Sequence, residues 1–225
     1  AQHTASGRVY GFRTEVLNYH RSGRKYWTAL EVQPILDESG EVVNFMAIES
    51  DISSRRHDDQ RRALQFSASR ILAEADSMRQ AAAKVIQMIC TRLGWTAGGM
   101  WMLDTSLKEL RLTELWHDPA RDLTHFVKMS GELTFASGSG LPGLVWQTGR
   151  SQWFRDFAAQ TEIFTRAASA AACELHGALA FPIIARGETI GVIELFSAEI
   201  VDPDEALLQA LAGIGNQMGQ FIERK

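Results

Sequence analysis

The chain has little of what would place it in a specialised class. Among 225 residues there are two cysteines, Cys90 and Cys173, five prolines and three tyrosines. Two cysteines make no disulfide framework, and their scarcity fits a reducing compartment. No apolar run reaches the ~18 residues of a membrane-spanning helix, and the polar start AQHTASGR lacks the apolar stretch of a signal peptide. An excess of one charge is missing too, since 23 Lys and Arg stand against 27 Asp and Glu, for a net charge of -4. A polyanion binder needs a concentrated basic face. Here the only basic concentration is Arg55-Arg56 with Arg61-Arg62, so no nucleic acid is expected as a partner. These absences leave a soluble, cytoplasmic globular chain with no direct membrane contact.

Chemistry-bearing motifs are equally sparse. Nothing matches HExxH or a closely spaced cysteine pair, so no metal site is expected. No serine sits in a nucleophile elbow, and no catalytic residue is assigned. GSGLPG at 138–143 lacks the lysine and Ser/Thr of a nucleotide-triphosphatase loop, and it does not fit GxGxxG. Its glycines turn the backbone into a short helix, LVWQ, with Pro142 near the first turn.

What is present is strong periodicity. FRTEVLNY at 12–19, YWTALEVQPI at 26–35 and VVNFMAIESDI at 42–52 read as three strands of an antiparallel meander, joined by turns at Gly23 and Gly40. Alternation puts Tyr26, Thr28, Leu30 and Val32 on one face and Trp27, Ala29, Glu31 and Gln33 on the other. Three strands present an apolar face that nothing before them covers, so the segment reads as part of a domain. From Ser54 to Leu93 there is neither proline nor glycine. Leu64, Ile71, Met78 and Val85 recur every seven residues, interleaved with Ala68, Ala75, Ala82 and Ile89, which is the pattern of a coiled-coil seam. For residues 54–77 this predicts a connector helix in a parallel homodimer.

The remaining two-thirds alternates strands and helices. TAGGMWML and ELRLTELWH read as strands, QWF as a short one, and 164–173 as an alanine-rich helix. ALAFPII and TIGVIELF form a hairpin around ARGE. A last helix near 203–223 has Asp202 as its expected N-cap and Pro203 at its first position. Leu207, Leu211, Ile214, Met218 and Phe221 form its apolar line, a second candidate seam.

Two resemblances follow. VLNYHRSGRKYW, VQP, D-x-x-G and FMAIESDIS resemble the last three strands of a PAS domain, in particular its flavin-binding LOV branch. Residue by residue that resemblance argues against flavin. Asn18 matches a flavin-contacting asparagine, but the second such position is Thr28, the expected glutamine is Glu49, and no photoactive-cysteine half is present. Asp51-Ile52-Ser53 falls where PAS domains carry a motif leading to an output helix, which implies that Asp51 pairs with Arg55 or Arg56. LGWTAGGMWMLD, F-x-x-G-x-G-L-P-G-x-V-W-x-x-G-R, LHGALAFPI, GVIELFS and PDEALL resemble a GAF domain of the kind found in bacterial sensor histidine kinases and cyclic-dinucleotide signalling proteins. The implied fold is α/β (α+β). A six-stranded antiparallel sheet is flanked by helices and preceded by the partial PAS sheet (1–53) and the connector (54–77), whose helix runs unbroken into the GAF-like part (78–225).

The resemblance implies a small-molecule pocket on the sheet face away from the terminal helices. Trp101, Trp116, Phe126, Trp146, Trp153, Phe157 and Phe164 are its candidate lining, with Arg166 or His176 as polar handle. Arg166, on an alanine-rich helix, is expected to face solvent. Cys173 near His176 resembles the bilin attachment of phytochrome-type GAF domains, but the intervening residues match the chromophore-free branch, so no cofactor is expected. A sulfoxide-reductase activity would need reactive cysteines that the spacing does not supply. The expected role is a non-catalytic sensor and relay that passes a conformational change through dimer helices to neighbouring domains. The alternative is a ligand-free dimerisation scaffold.

Overall fold

A computed structural model describes residues 2–3, 9–21, 23, 25–157 and 164–224. The chain divides into two compact units, Ala1–Arg62 and Ala63–Lys225, which are taken in turn.

In the first unit, β1 (Gln2–His3) and β2 (Val9–Tyr10) pair as a short antiparallel ribbon. β3 (Phe12–Tyr19), β4 (Lys25–Leu36) and β5 (Val42–Asp51) form the expected antiparallel meander in that order. The register sets Phe12, Thr14, Val16 and Asn18 opposite Val32, Leu30, Thr28 and Tyr26. The side-chain amide of Asn18 donates to Thr28 Oγ1 at 3.1 Å, so the two positions weighed for flavin bond to one another. In the turn after β4, the Ser39 hydroxyl and the Glu41 and Ser39 amides all bond Asp37, and they hold its carboxyl below the usual carboxylate range. Val43, Phe45, Met46 and Ile48 on β5 are exposed.

α1 (Ser53–Glu74) starts where β5 ends, and the Asp-Ile-Ser motif makes the joint. Asp51 Oδ1 accepts the Ser53 amide, Ser53 Oγ accepts the Trp27 amide, and the Ile52 amide donates to the Trp27 carbonyl. Arg56 pairs with Glu15 at 2.8 Å and lies 3.7 Å over the Trp27 ring, while Arg55 faces Asp59 at 3.9 Å one turn on. Glu15 and Trp27 share one face of the sheet, so Arg56 can meet both at once.

The second unit opens with the rest of α1, and the helix is not continuous as expected. It stops at Glu74 and α2 runs Met78–Leu93. Ser77 takes an extended conformation and its Oγ accepts the Gln80 amide, while Gln80 Oε1 accepts the Asp76 amide. This reciprocal cap stabilises a new helix start and interrupts the old one.

The central sheet is fully antiparallel in the order β8-β7-β6-β11-β10-β9. Its strands are β6 (Ala97–Asp104), β7 (Glu109–His117), β8 (Thr134–Phe135), β9 (Gln152–Phe154), β10 (Gly177–Ala185) and β11 (Glu188–Ser197). The β10–β11 hairpin turns through Arg186 and Gly187, both at positive φ, as a two-residue hairpin loop requires. Pro182 sits within β10, but β9 pairs only with Ala178–Ala180 and so stops short of it.

Each sheet face carries a core. On one, Leu179, Phe181, Ile183, Ile193, Leu195 and Met100 pack against α1, α2 and α6 (Glu205–Arg224). On the other, Ala178, Ala180, Val192 and Phe196 pack under α3 (Thr124–Glu132), α4 (Gly140–Thr148) and α5 (Ala167–Ala172). The N-cap of α6 is Asp204, whose Oδ1 accepts the Leu207 amide at 2.9 Å, and not the expected Asp202, which pairs with Arg155 at 2.7 Å.

The candidate seams belong to the first of these cores. Leu64, Ala68, Ala75, Leu211, Ile214 and Met218 are buried within this single chain, and Ile71 and Met78 pack against the same cluster. Their heptad spacing serves intramolecular packing, because helices buried on one face against a sheet and each other repeat at nearly the same period.

α6 lies directly on β10. A Cβ added at Gly215 would fall 2.1 Å from the Pro182 carbonyl oxygen, and one at Gly219 would fall 1.8 Å from that of Ile184. Neither contact can relax by a side-chain movement, because both partners are backbone. Gly219→Ala is therefore expected to destabilise the domain by at least the ~1–3 kcal/mol of an overpacked core, read as a fall in the urea midpoint. Gly213→Ala, where the nearest atom is the end of Gln65 at 3.4 Å, serves as the neutral control.

Candidate functional site

β11 is buried along most of its length, and its alternation is readable in GVIELF. Ile193 and Leu195 face the α1–α2–α6 core, while Val192, Glu194 and Phe196 face the other way. Glu194 is thus a carboxylate at the centre of a sheet, 1% exposed, among apolar neighbours. Isolated burial of a charge is prohibitive, so the site has to supply a partner.

The partner is Arg166. It lies just before α5 and is 5% exposed, so the expectation that it faces solvent is wrong. Its Nη2 meets Glu194 Oε1 at 2.5 Å and its Nη1 donates to Ser130 Oγ at 2.7 Å. The alanines that follow it are small enough to let α5 settle onto the core, with Ala167 and Ala170 buried. Ser130 in turn donates to the Phe126 carbonyl on α3. Trp101 Nε1 donates to the same Glu194 oxygen at 2.8 Å. Beside this cluster His125 Nδ1 and Ser169 Oγ are 2.8 Å apart, which ties α3 to α5. Glu194 Oε2 is sealed from solvent and has no hydrogen-bond partner among the described residues.

Aromatic rings enclose the polar cluster. Trp101 meets Phe135 edge-on at 4.8 Å, Phe126 meets Phe196 at 5.0 Å, and Phe157 stacks on Phe164 at 4.6 Å. Five predicted site residues, Trp101, Phe126, Phe157, Phe164 and Arg166, therefore share one core, and Trp146 packs against its edge. Trp116 and Trp153 do not join them. Both pack on the helix side of the sheet, where Trp153 meets Trp95 edge-on and donates to the Val201 carbonyl. His176 lies apart with its Nδ1 3.9 Å from Asp156. Ser130, Phe135, Phe196 and Glu194 escaped the sequence reading. Only Glu194 carried a signal, as the one charge inside an otherwise apolar strand.

The glycine-rich turn and Cys90 are structural. In the glycine-rich turn the Gly138 amide donates to the Gly143 carbonyl, and the Ser139 and Gly143 amides also bond within the turn, so these donors are not turned toward a phosphate. Cys90 is buried and its thiol is pushed up by desolvation, which makes it a packing group. Among the described residues no group of three or more His, Cys, Asp and Glu is placed to hold a metal ion, and no helix is long and apolar enough to cross a membrane.

Removing one member of a buried ion pair strands the other. Glu194→Ala is expected to cost about 3–5 kcal/mol in urea unfolding. The double substitution Glu194→Leu with Arg166→Met recovers most of that loss, because no uncompensated charge is then buried.

The architecture has clear relatives. Solved structures that share the fold include the GAF domain of a phosphoenolpyruvate-protein phosphotransferase from Coxiella burnetii, at 20% identity and TM-score 0.62, covering 73% of this chain and 94% of that one. The A. aeolicus nlh2 GAF domain in an inactive state aligns at 19% identity and TM-score 0.60, over 75% of this chain and 99% of its own. A free methionine-R-sulfoxide reductase from Neisseria meningitidis, solved with its substrate, aligns at 18% identity and TM-score 0.59, over 72% and 88%. Likeness at these identities speaks for the fold. The family model for the GAF domain matches residues 75–223, which begins at the α1–α2 break and ends with α6, and so the chain belongs to the GAF domain family.

Proposed function

We propose that this chain is a non-catalytic sensory and relay segment of a bacterial signalling protein of the sensor histidine kinase or cyclic-dinucleotide type. In this reading the three-stranded unit is the closing part of a PAS-like domain. The GAF domain senses a small molecule at the Arg166–Glu194 cluster, and α1, α2 and α6 pass the change to a neighbouring output domain. One observation carries the reading: Glu194 Oε2 is buried among aromatic rings without a partner among the described residues, on the sheet face away from α1, α2 and α6. Ligand sites are mostly apolar with a few convergent polar groups, which is the composition found there. Neither flavin nor bilin belongs to this reading, since Asn18 is engaged by Thr28 and the residues between Cys173 and His176 resemble the chromophore-free branch.

The second reading, a ligand-free dimerisation scaffold, draws on two observations. The rings around Arg166 already touch one another, and Phe66 on the outer side of α1 is 72% exposed. An exposed aromatic on a helix whose inner face is already buried gives a homodimer a contact that costs the core nothing.

Two measurements separate the readings. Native mass spectrometry of freshly purified protein is expected to show a retained mass that Glu194→Leu with Arg166→Met loses. An empty domain throughout ligand screens rejects the sensor. Sedimentation is expected to show a dimer that Phe66→Glu converts to monomer without a change in the melting midpoint. A wild-type monomer rejects the scaffold. Absorbance beyond the tryptophan band in purified protein would restore the chromophore readings.

A further inference from the structure

The surroundings of Arg166 are those of a receptor for a planar cation. Its Cζ lies 5.3 Å from the Trp101 ring centroid, 5.1 Å from Phe126, 5.6 Å from Phe135 and 5.3 Å from Phe196. Aromatic faces attract cations, and more strongly where water is excluded. Glu194 supplies the counter-charge, yet only its Oε1 is used, by Arg166 and by the Trp101 indole. Its Oε2 is buried with no donor among the described residues. A carboxylate oxygen in such a place carries a desolvation penalty that one more N–H donor would remove.

We propose that this aromatic and carboxylate box is a binding site for a compact organic cation of the guanidinium or amidinium type, for which Arg166 stands in while the site is empty. The proposal rests on the sensory reading above and supplies its ligand class. A free cation reaches both oxygens of Glu194, whereas the tethered guanidinium reaches one, and this difference favours exchange. Arg166 precedes the six-residue α5, whose start has no side-chain cap, and its carbonyl is the group that accepts the Ala170 amide. Swinging the side chain out therefore breaks no backbone bond of the helix. Because Arg166 is tethered, it competes at millimolar or higher effective concentration, which sets the concentration an incoming cation has to overcome.

The probe is ethylguanidinium, tested on the full chain. Arg166→Ala is expected to melt lower than wild type. Millimolar ethylguanidinium chloride raises its midpoint by several degrees, whereas sodium chloride at equal ionic strength does not. Adding Glu194→Gln to the variant abolishes the rise. A midpoint that responds equally to both salts overturns the proposal. If Arg166→Ala does not accumulate as folded protein, its refolding yield is the readout: dependence on ethylguanidinium supports the site, and indifference to it overturns it. In wild type the same cation is expected to speed trypsin cleavage after Arg166 relative to cleavage after Lys84, and an unchanged ratio overturns the stand-in role. Native mass spectrometry keeps this proposal distinct from the sensory reading, since a retained anionic or neutral molecule overturns the cation and leaves the sensor intact.

Discussion

A carboxylate in the middle of a doubly covered strand has to be answered where it stands, and much of one side of this domain is organised as the answer. Glu194 lies on β11, which is paired on both sides and packed on both faces. Water cannot reach it, so its charge is met by Arg166 from the start of α5 and by the indole of Trp101 from β6. Ser130 from α3 then holds the second terminal nitrogen of Arg166. One buried carboxylate thereby ties together a strand and two helices through Trp101, Arg166 and Ser130. The opposite face has no such requirement. It is a conventional apolar core, in which tight packing of α6 on β10 through Gly215 and Gly219 does the equivalent work.

The regular part of this architecture was legible because burial imposes period. Strand alternation located β3 to β7 and the β10–β11 hairpin, and the apolar line of α6 is the line buried in the core. Irregular, short-range polar geometry was less legible. Ser77 and Gln80 spell a reciprocal cap that splits the expected helix, but neither glycine nor proline marks the break. Asp202 and Asp204 are both capable caps, and only the path of the chain, which takes Asp202 to Arg155, selects Asp204. The site divides in the same way. Its aromatic residues were readable as candidates, but the pairing that organises them joins residues 28 apart, and no local pattern encodes it. A lone arginine before alanines reads as solvated until the acid opposite is known.

Heptad spacing admits two descriptions for a related reason. A coiled-coil line and an amphipathic line differ by ~20° per heptad, and over the short stretches available here that drift is smaller than the width of a buried face. Leu64, Ala68 and Ala75 satisfy both descriptions. What decides between them is whether another surface of the same chain is near, and here α6 and the sheet are near. The small residues in this line fit that outcome, because a helix wedged between a sheet and a second helix has little room for larger ones.

Strands β6, β10 and β11 each send side chains into both cores, and β11 does so around a charge. Ile193 and Leu195 are anchored in the helix-side core, and Glu194 between them is anchored in the aromatic one. Interiors this dense compress little, so a displacement at one residue is transferred to its neighbours and not absorbed. Exchanging the partner of Glu194 would move the strand at that point by whatever the new donor geometry demands, and its two flanking side chains would carry the movement into the packing of α2 and α6. If the proposed site takes a ligand, its coupling to the terminal helices needs no long chain of contacts in this fold. It needs a strand buried on both sides with a polar residue at its centre, and β11 is such a strand.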